Sequence, residues 1–340
     1  MHVHGPTTRS RRLTSALAAA AVVLLPLTGC QSATPSPPAG ERPAECDGVG
    51  LTRVGYSPYS NSGGYFPLVE KGLQSVLGDC GIDVVTSDPD GESGEQVSGI
   101  ENLVAAGAKA VIVCPTDPKA ISPVARRLAG QDVLVIGLAT DIPEADVVFN
   151  LDDRAFGELE GESAGGWLAA NRADEKPTVA ILHQDSGGAP LIARHEGVIA
   201  GLDAALGEGE WTLVSEVEAY QEDTGNAQTS TVLQAHPDLD LIVGLNDSSA
   251  LGALSAVKAS GRTPGEDVAI VTGGEDARIL QGVLSGEVVS TVGLFPVQQG
   301  EIIARAVLEL SSGGDVEREQ IVPVELVTAE NAQGILDSLG

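Results

Sequence analysis

The sequence predicts an α/β protein built of two doubly wound parallel-sheet (Rossmann-like) lobes. Three observations predict it. From residue 50 onward, short β-branched runs alternate with segments of helical periodicity, the pattern of successive βα units. That rhythm runs to about residue 149 and begins again at residue 153. Finally, about 295 residues follow the first 45, too many for one simple core and suited to two.

Residues 51–56 read as the first strand, followed by a helix over 65–77. Residues 82–86 form the next strand, with a helix near 95–106. Residues 109–114 are a short, nearly continuous apolar run, as expected of a parallel strand covered on both faces. Pro115-Thr116-Asp117-Pro118 then starts a helix, offering a capping residue and a proline where the first turn tolerates one. Strands at 133–138 and 147–149 close the first series. In the second series, helices over 153–170, 189–206, 223–234 and 248–260 alternate with strands at 178–183, 211–217, 241–245 and 268–272. Ligands of such sheets sit beyond the carboxyl ends of the strands, so strand ends are where chemistry belongs.

Residues 1–29 read as an address rather than as fold. Arg9, Arg11 and Arg12 precede an apolar run over residues 16–27, about half the ~20 residues a membrane-spanning helix needs. Leu27-Thr28-Gly29-Cys30 resembles a bacterial lipobox, which implies a lipid on Cys30 and a protein anchored to the outer face of the cell membrane. Residues 30–47 then read as a flexible tether, rich in Pro, Ser and Ala. Removing the three leader arginines takes the net charge from −29 to −32. A surface that acidic repels phosphate backbones, so nucleic acid is excluded as a partner.

Besides Cys30 there are three cysteines, Cys46, Cys80 and Cys114. None has the spacing of a zinc knuckle. Cys46 just precedes the first strand and Cys80 the second, so a bond between them is geometrically reasonable outside the cytoplasm. Cys114 would then be a free thiol.

Aromatic residues make up only 3% of the chain, yet Tyr56, Tyr59, Tyr65 and Phe66 fall in or beside the polar loop 57–64. Rings on a loop over a cleft offer flat apolar faces, and tyrosine adds a hydroxyl. Packing within the core is the alternative. Further along stand Arg194-His195-Glu196-Gly197, Leu245-Asn246-Asp247 with Ala250-Leu251-Gly252-Ala253, and Val271-Thr272-Gly273-Gly274-Glu275-Asp276-Ala277. With Val113-Cys114-Pro115-Thr116-Asp117 and Phe295-Pro296, these segments resemble type I periplasmic binding proteins, particularly the ribose- and xylose-binding receptors of ABC importers. The resemblance covers residues 51–327.

It implies a ligand held between two lobes: residues 48–152 with 295–320, and residues 153–294 with 321–340. The three hinge crossings that join the lobes would lie near Asp152, near Leu294 and Phe295, and near residues 319–322. Tyr65 and Phe66 would stack on the ligand from the first lobe, with Tyr59 nearby and Tyr220 opposite. Arg194, Asn246 and Asp276 would hydrogen-bond it, and Asp141 and Asp152 are weaker members of the set. Arg194 reads alternatively as a solvated helix charge. Asp247 is expected to cap the helix that follows, leaving Asn246 for the cleft. Which of Gly274, Glu275 and Asp276 faces the cleft stays open. Three positions depart from the family pattern: Cys114 replaces an asparagine, Ala139-Thr140-Asp141 an Asp-Arg pair, and Leu294 a cleft glutamine. The pocket should therefore be less polar than a pentose site.

Other motifs point away from chemistry. Gly161-Glu162-Ser163-Ala164-Gly165 fits a nucleophile elbow but lies in a predicted helix, where the elbow needs a strand and a sharp turn. A hydrolase using Ser163 is a remote alternative. Asp88-Pro89-Asp90-Gly91-Glu92 has its glycine too early for a calcium loop and reads as a turn. His183, His195 and His236 lack the short spacing of a metal motif. The expectation is a monomeric, extracytoplasmic solute-binding lipoprotein without cofactor or enzymatic activity. It would capture a sugar, polyol or nucleoside-like ligand by closure and deliver it to an ABC transporter permease. A ligand sensor for a membrane kinase is the second reading.

Overall fold

The computed structural model describes residues 43–61, 64–173 and 176–339. The predicted leader, Cys30 with its lipid, and the tether up to residue 42 lie outside them. The first series runs β1 (Arg53–Ser57), α1 (Tyr65–Asp79), β2 (Asp83–Thr86), α2 (Ser93–Ala105), β3 (Ala110–Val113), α3 (Pro118–Ala129), β4 (Leu134–Leu138) and β5 (Val147–Asn150). The second continues with α4 (Asp153–Asn171), β6 (Thr178–His183), α5 (Ala189–Leu206), β7 (Thr212–Glu218), α6 (Glu222–Ala235), β8 (Leu241–Gly244), α7 (Asp247–Ala259) and β9 (Ala269–Gly273). It ends with α8 (Ala277–Ser285), β10 (Ser290–Gly293), α9 (Pro296–Ser311), β11 (Glu319–Ile321), β12 (Glu325–Val327) and α10 (Ala332–Leu339).

Two six-stranded sheets result, ordered β11-β5-β4-β3-β1-β2 and β12-β10-β9-β8-β6-β7. The pairings are parallel except β10 with β12. Strand side chains alternate between the two faces, so each sheet carries two cores. In the first sheet, Tyr56, Ile112 and Ile136 face one core, while Val111, Val113 and Val135 face the other. In the second, Leu182, Ile242 and Ile270 lie opposite Ile181, Val243 and Val271. Helix α1 covers its sheet with Val69, Leu73, Val76 and Leu77, one apolar stripe at helical spacing. At α3 the predicted cap is in place, with the Asp117 carboxylate accepting the Lys119 N–H at 2.9 Å.

The chain passes between the sheets after β5, after β10 and after β11. The last passage falls later than the sequence suggested. Ile321 pairs with Asn150 in the first sheet, and the Val322 N–H donates to Asn150 O at 2.9 Å. Both therefore belong to the first lobe rather than to a second lobe beginning at 321. Phe295, at the middle passage, holds φ at 50°, a left-handed conformation that is strained for an aromatic residue.

Cys46 and Cys80 are bonded, tying the turn Ala44–Cys46 to the end of α1. Cys114 is free and buried. The elbow-like glycines serve helix packing instead. A Cβ on Gly161 would lie 2.1 Å from Val198 O and one on Gly165 2.5 Å from Ala205 Cβ; one turn earlier in α4, a Cβ on Gly157 would lie 2.0 Å from Arg194 O. Helices α4 and α5 can touch backbone to backbone only because those side chains are missing. Ser163 sits inside α4, its hydroxyl 2.7 Å from that of Ser290.

Candidate functional site

The carboxyl ends of β8, β9 and β10 open onto a cavity of about 380 Å³. From the second sheet its wall takes Asn246, Asp247 and Ser248 at the start of α7, and residues 273–276 after β9. From the first lobe, Gly64, Tyr65 and Leu68 at the start of α1 close over it, with Leu294 and Pro296 at the middle passage. An adjoining cavity of about 200 Å³ shares Tyr65 and Leu294 and is otherwise lined by Leu138, Ala139, Phe149, Leu151, Gln299 and Val322. Its wall is mostly apolar. Ala139 stands there with φ at 61°.

Tyr65 is the ring that joins the two cavities. Its hydroxyl donates to Gln299 Oε1 at 2.5 Å, and Gln299 Nε2 donates to Leu294 O. Gln299 is fully buried on α9. The family resemblance puts a cleft glutamine where this chain has Leu294, which implied that the amide is lost. Instead Leu294 lines both cavities while Gln299, in the first turns of the next helix, supplies an amide from behind. Burial, then Cys114 and Glu275 nearby, raises the Tyr65 hydroxyl above its ordinary pKa. Burial pushes the Cys114 thiol up to about 12.

The caps of α7 reverse the expected roles. Asn246 is the cap, its Oδ1 accepting the Ser249 N–H at 2.9 Å while Nδ2 donates to Tyr220 O at 2.9 Å. Asp247 is the first helical residue and is buried against the cavity. One carboxylate oxygen accepts the Asp276 N–H at 2.6 Å, and the other lies 3.4 Å from the hydroxyls of Thr272 and Thr291. Gly274 makes room for it, with φ at 134° and a missing Cβ that would lie 2.5 Å from Asp247 Oδ2. Burial pushes the Asp247 carboxyl up to about 7. Glu275 is also raised by burial and accepts the Phe295 N–H. Behind β9, Glu160 on α4 is fully buried, neither oxygen has a hydrogen-bond partner, and its carboxyl is pushed up to about 8.

The Periplasmic binding protein domain model matches residues 54–315. The chain belongs to the periplasmic binding protein family. A D-ribose/D-allose-binding protein from Pseudomonas aeruginosa is 28% identical over 70% of this chain and 75% of its own length. A xylitol-binding protein from Mycolicibacterium smegmatis is 26% identical over 93% of this chain and 85% of its own length. The solved periplasmic ribose ABC transporter structure from Conexibacter woesei shares the fold, with a TM-score of 0.73 at 22% identity, over 85% of this chain and 96% of that one.

In this periplasmic binding protein, the predicted site residues separate into two groups. Tyr65, Asn246 and Asp276 line the larger cavity, and Gly274, Glu275 and Asp276 all face it. Asp276 also caps α8 and pairs with Arg278 at 3.0 Å. The others lie elsewhere. Arg194 is buried behind the floor: Nη2 and Nε donate to Asp153 Oδ1 at 2.6 and 3.1 Å, and Nη1 to Leu245 O at 3.2 Å. Its guanidinium stacks 3.9 Å from the Phe156 ring centre. It is neither a cavity donor nor a solvated charge. Phe66 packs edge-on to Tyr65 at 5.1 Å and joins the first core. Tyr59 is 47% exposed, against Gly91. Asp141 pairs with Arg318 at 2.7 Å, and Asp152 caps α4 through the Ala155 N–H at 3.0 Å. Tyr220 meets the site through its carbonyl, and its ring is not part of the cavity wall. Asp88 Oδ1 accepts the N–H groups of Asn61 and Asp90, which makes that segment a turn.

The residues that sequence reasoning passed over are Asp247, Leu68 and Gln299. For Asp247 a signal was present, because asparagine caps at least as well as aspartate and frees the next residue for the cavity.

Proposed function

We propose that this chain is an extracytoplasmic receptor for a small sugar or polyol, held between its lobes and handed to an ABC-type importer. The observation that carries the reading is the cavity itself. Its floor comes from the carboxyl ends of the second sheet and its cover from Tyr65 and Leu68 of the first. A ligand there completes its contacts only when the lobes close, so binding favours the closed state. The Tyr65 ring offers an apolar face to a sugar's C–H surface. Asn246, Asp247, Glu275 and Asp276 offer acceptors and an amide to its hydroxyls. Ribose, allose and xylitol, the ligands named for the relatives, are the first compounds to try. Cys30 carries the lipid that keeps the receptor at the membrane beside its permease. The tether from it ends before the turn Ala44–Cys46, which the disulfide fixes to the first lobe and which the sequence had counted within a tether of residues 30–47.

A thermal-shift screen against pentoses, hexoses and polyols tests this. A ligand at ~100 times its dissociation constant adds about 2.7 kcal/mol of stability and raises the melting temperature. A panel without any shift contradicts the sugar reading.

A further inference from the structure

Outside the cleft, the carboxyl edge of β6 gathers a second group of polar side chains. Among the described residues, His183, Asp185 and His195 form the group whose ligand atoms could hold a metal ion, all within 4.8 Å of one another. His183 closes β6, Asp185 lies in the turn that follows, and His195 comes from the second turn of α5. His183 and His195 lie 12 positions apart in sequence, which hides them from a motif search. In space their rings stack with centres 4.5 Å apart, and each turns its Nδ1 to the same carboxylate. Asp185 Oδ1 lies 3.0 Å from His183 Nδ1 and 3.1 Å from His195 Nδ1.

From these atoms the geometry points to a site for a divalent transition metal, zinc foremost, bound by His183 Nδ1, His195 Nδ1 and the Asp185 carboxylate. Tetrahedral zinc with bonds of ~2.0–2.1 Å spaces its ligand atoms roughly 3.3 Å apart, close to the two nitrogen–oxygen distances. One of the two stacked rings, 18° apart, turns about its side-chain bonds to bring both Nδ1 lone pairs onto the ion. Two imidazoles and one carboxylate are a donor set for zinc, copper or nickel, whereas calcium and magnesium take all-oxygen sets. Water or a ligand atom completes the fourth position on the side of Asp185, whose side chain is 37% exposed.

Two features outside the ligands favour a built site. Glu216 Oε1 stands 3.1 Å from His195 Nε2, without hydrogen-bond alignment. A carboxylate beside the second ring nitrogen is the usual outer partner of a metal-bound histidine. The turn carrying Asp185 is also anchored by the protein alone. Glu218 of β7 accepts the Ser186 N–H at 2.9 Å and the Ser186 hydroxyl at 2.7 Å. The carboxylate is therefore held at the histidines without help from an ion, so the turn adds little ordering entropy to binding. None of these residues lines the sugar cavity, so the site stands or falls apart from the transport reading. Bound metal would tie β6, its turn and α5 together, one strand from the Asn246 wall.

The test is a zinc titration of EDTA-stripped full-length chain in competition with a chromophoric chelator. The chain carries His2→Ala and His4→Ala, which remove the histidines outside the described residues. One zinc per chain is expected, with an X-ray absorption shell near 2.0–2.1 Å containing two imidazoles. Glu216→Gln should weaken binding by about 10–100-fold, and His183→Ala and Asp185→Asn by more. Asp185 is partly exposed in a turn, so Asp185→Asn remains informative even where His183→Ala fails to fold. Absence of a saturable zinc site, or unchanged affinity in both Asp185→Asn and Glu216→Gln, overturns the proposal.

Discussion

Asp247 accepts the backbone N–H of Asp276 at 2.6 Å, a bond that holds the start of α7 against the turn after β9. It passes over Gly274, whose absent side chain leaves the space the carboxylate fills. The cavity floor is thus a buried acid clamped between two helix starts. Four expectations follow from it and from the parts that support it.

Gly274→Ala should cost about 2–4 kcal/mol. The new Cβ meets Asp247 Oδ2 at 2.5 Å, and φ at 134° suits glycine alone. Urea denaturation measures the loss, and an unchanged midpoint refutes the clamp.

Glu160 predicts a pH dependence. Its folded carboxyl is pushed up to about 8 from an ordinary 4.5 by burial, against the nearby charge of Arg194. The folded chain keeps a proton there that the unfolded chain releases, so this contribution is whole below about pH 4.5 and is lost as pH rises toward 8. Asp247 adds a slope of the same sign. Glu160→Gln should gain a few kcal/mol on the wild type between pH 5 and pH 8. Parallel stability curves would mean that Glu160 is ionised in the folded protein.

Arg194→Ala should destabilise the second lobe by about 2–4 kcal/mol, because it leaves the half-buried Asp153 carboxylate and the Leu245 carbonyl without their partner. Ligand affinity, measured on the variant below its unfolding temperature, should stay within a few-fold of wild type. A large affinity loss at unchanged stability would return Arg194 to the cleft.

Replacing Cys46 and Cys80 by serine opens a loop of 34 residues. The chain-entropy model puts the cost at roughly 3–4 kcal/mol. Equal melting temperatures for the oxidised and reduced protein would contradict a stabilising bond.

The order of strands and helices was legible because burial imposes a period: continuous apolar runs for strands covered on both faces, stripes for the helices on them. The site was legible only where a residue is fixed by the main chain. Tyr65 opens α1 and Asn246 follows β8, so both arrive at the cleft by topology. Arg194 failed because a long side chain on α5 can reach either way, and Asp153 at the start of α4 captures it. Gln299 was hidden because its position depends on the strained passage at Phe295. The meeting of His183 with His195 depends on where α5 lies on the sheet, which no local pattern encodes.

A calorimetric titration with the best ligand of the screen, run on wild type, Tyr65→Ala and Asp247→Asn, reaches the central claim most directly. The account predicts one-to-one binding that weakens at least tenfold in each variant, since one residue comes from each lobe. Binding that survives intact in either variant would place the ligand outside the clamp and contradict the account.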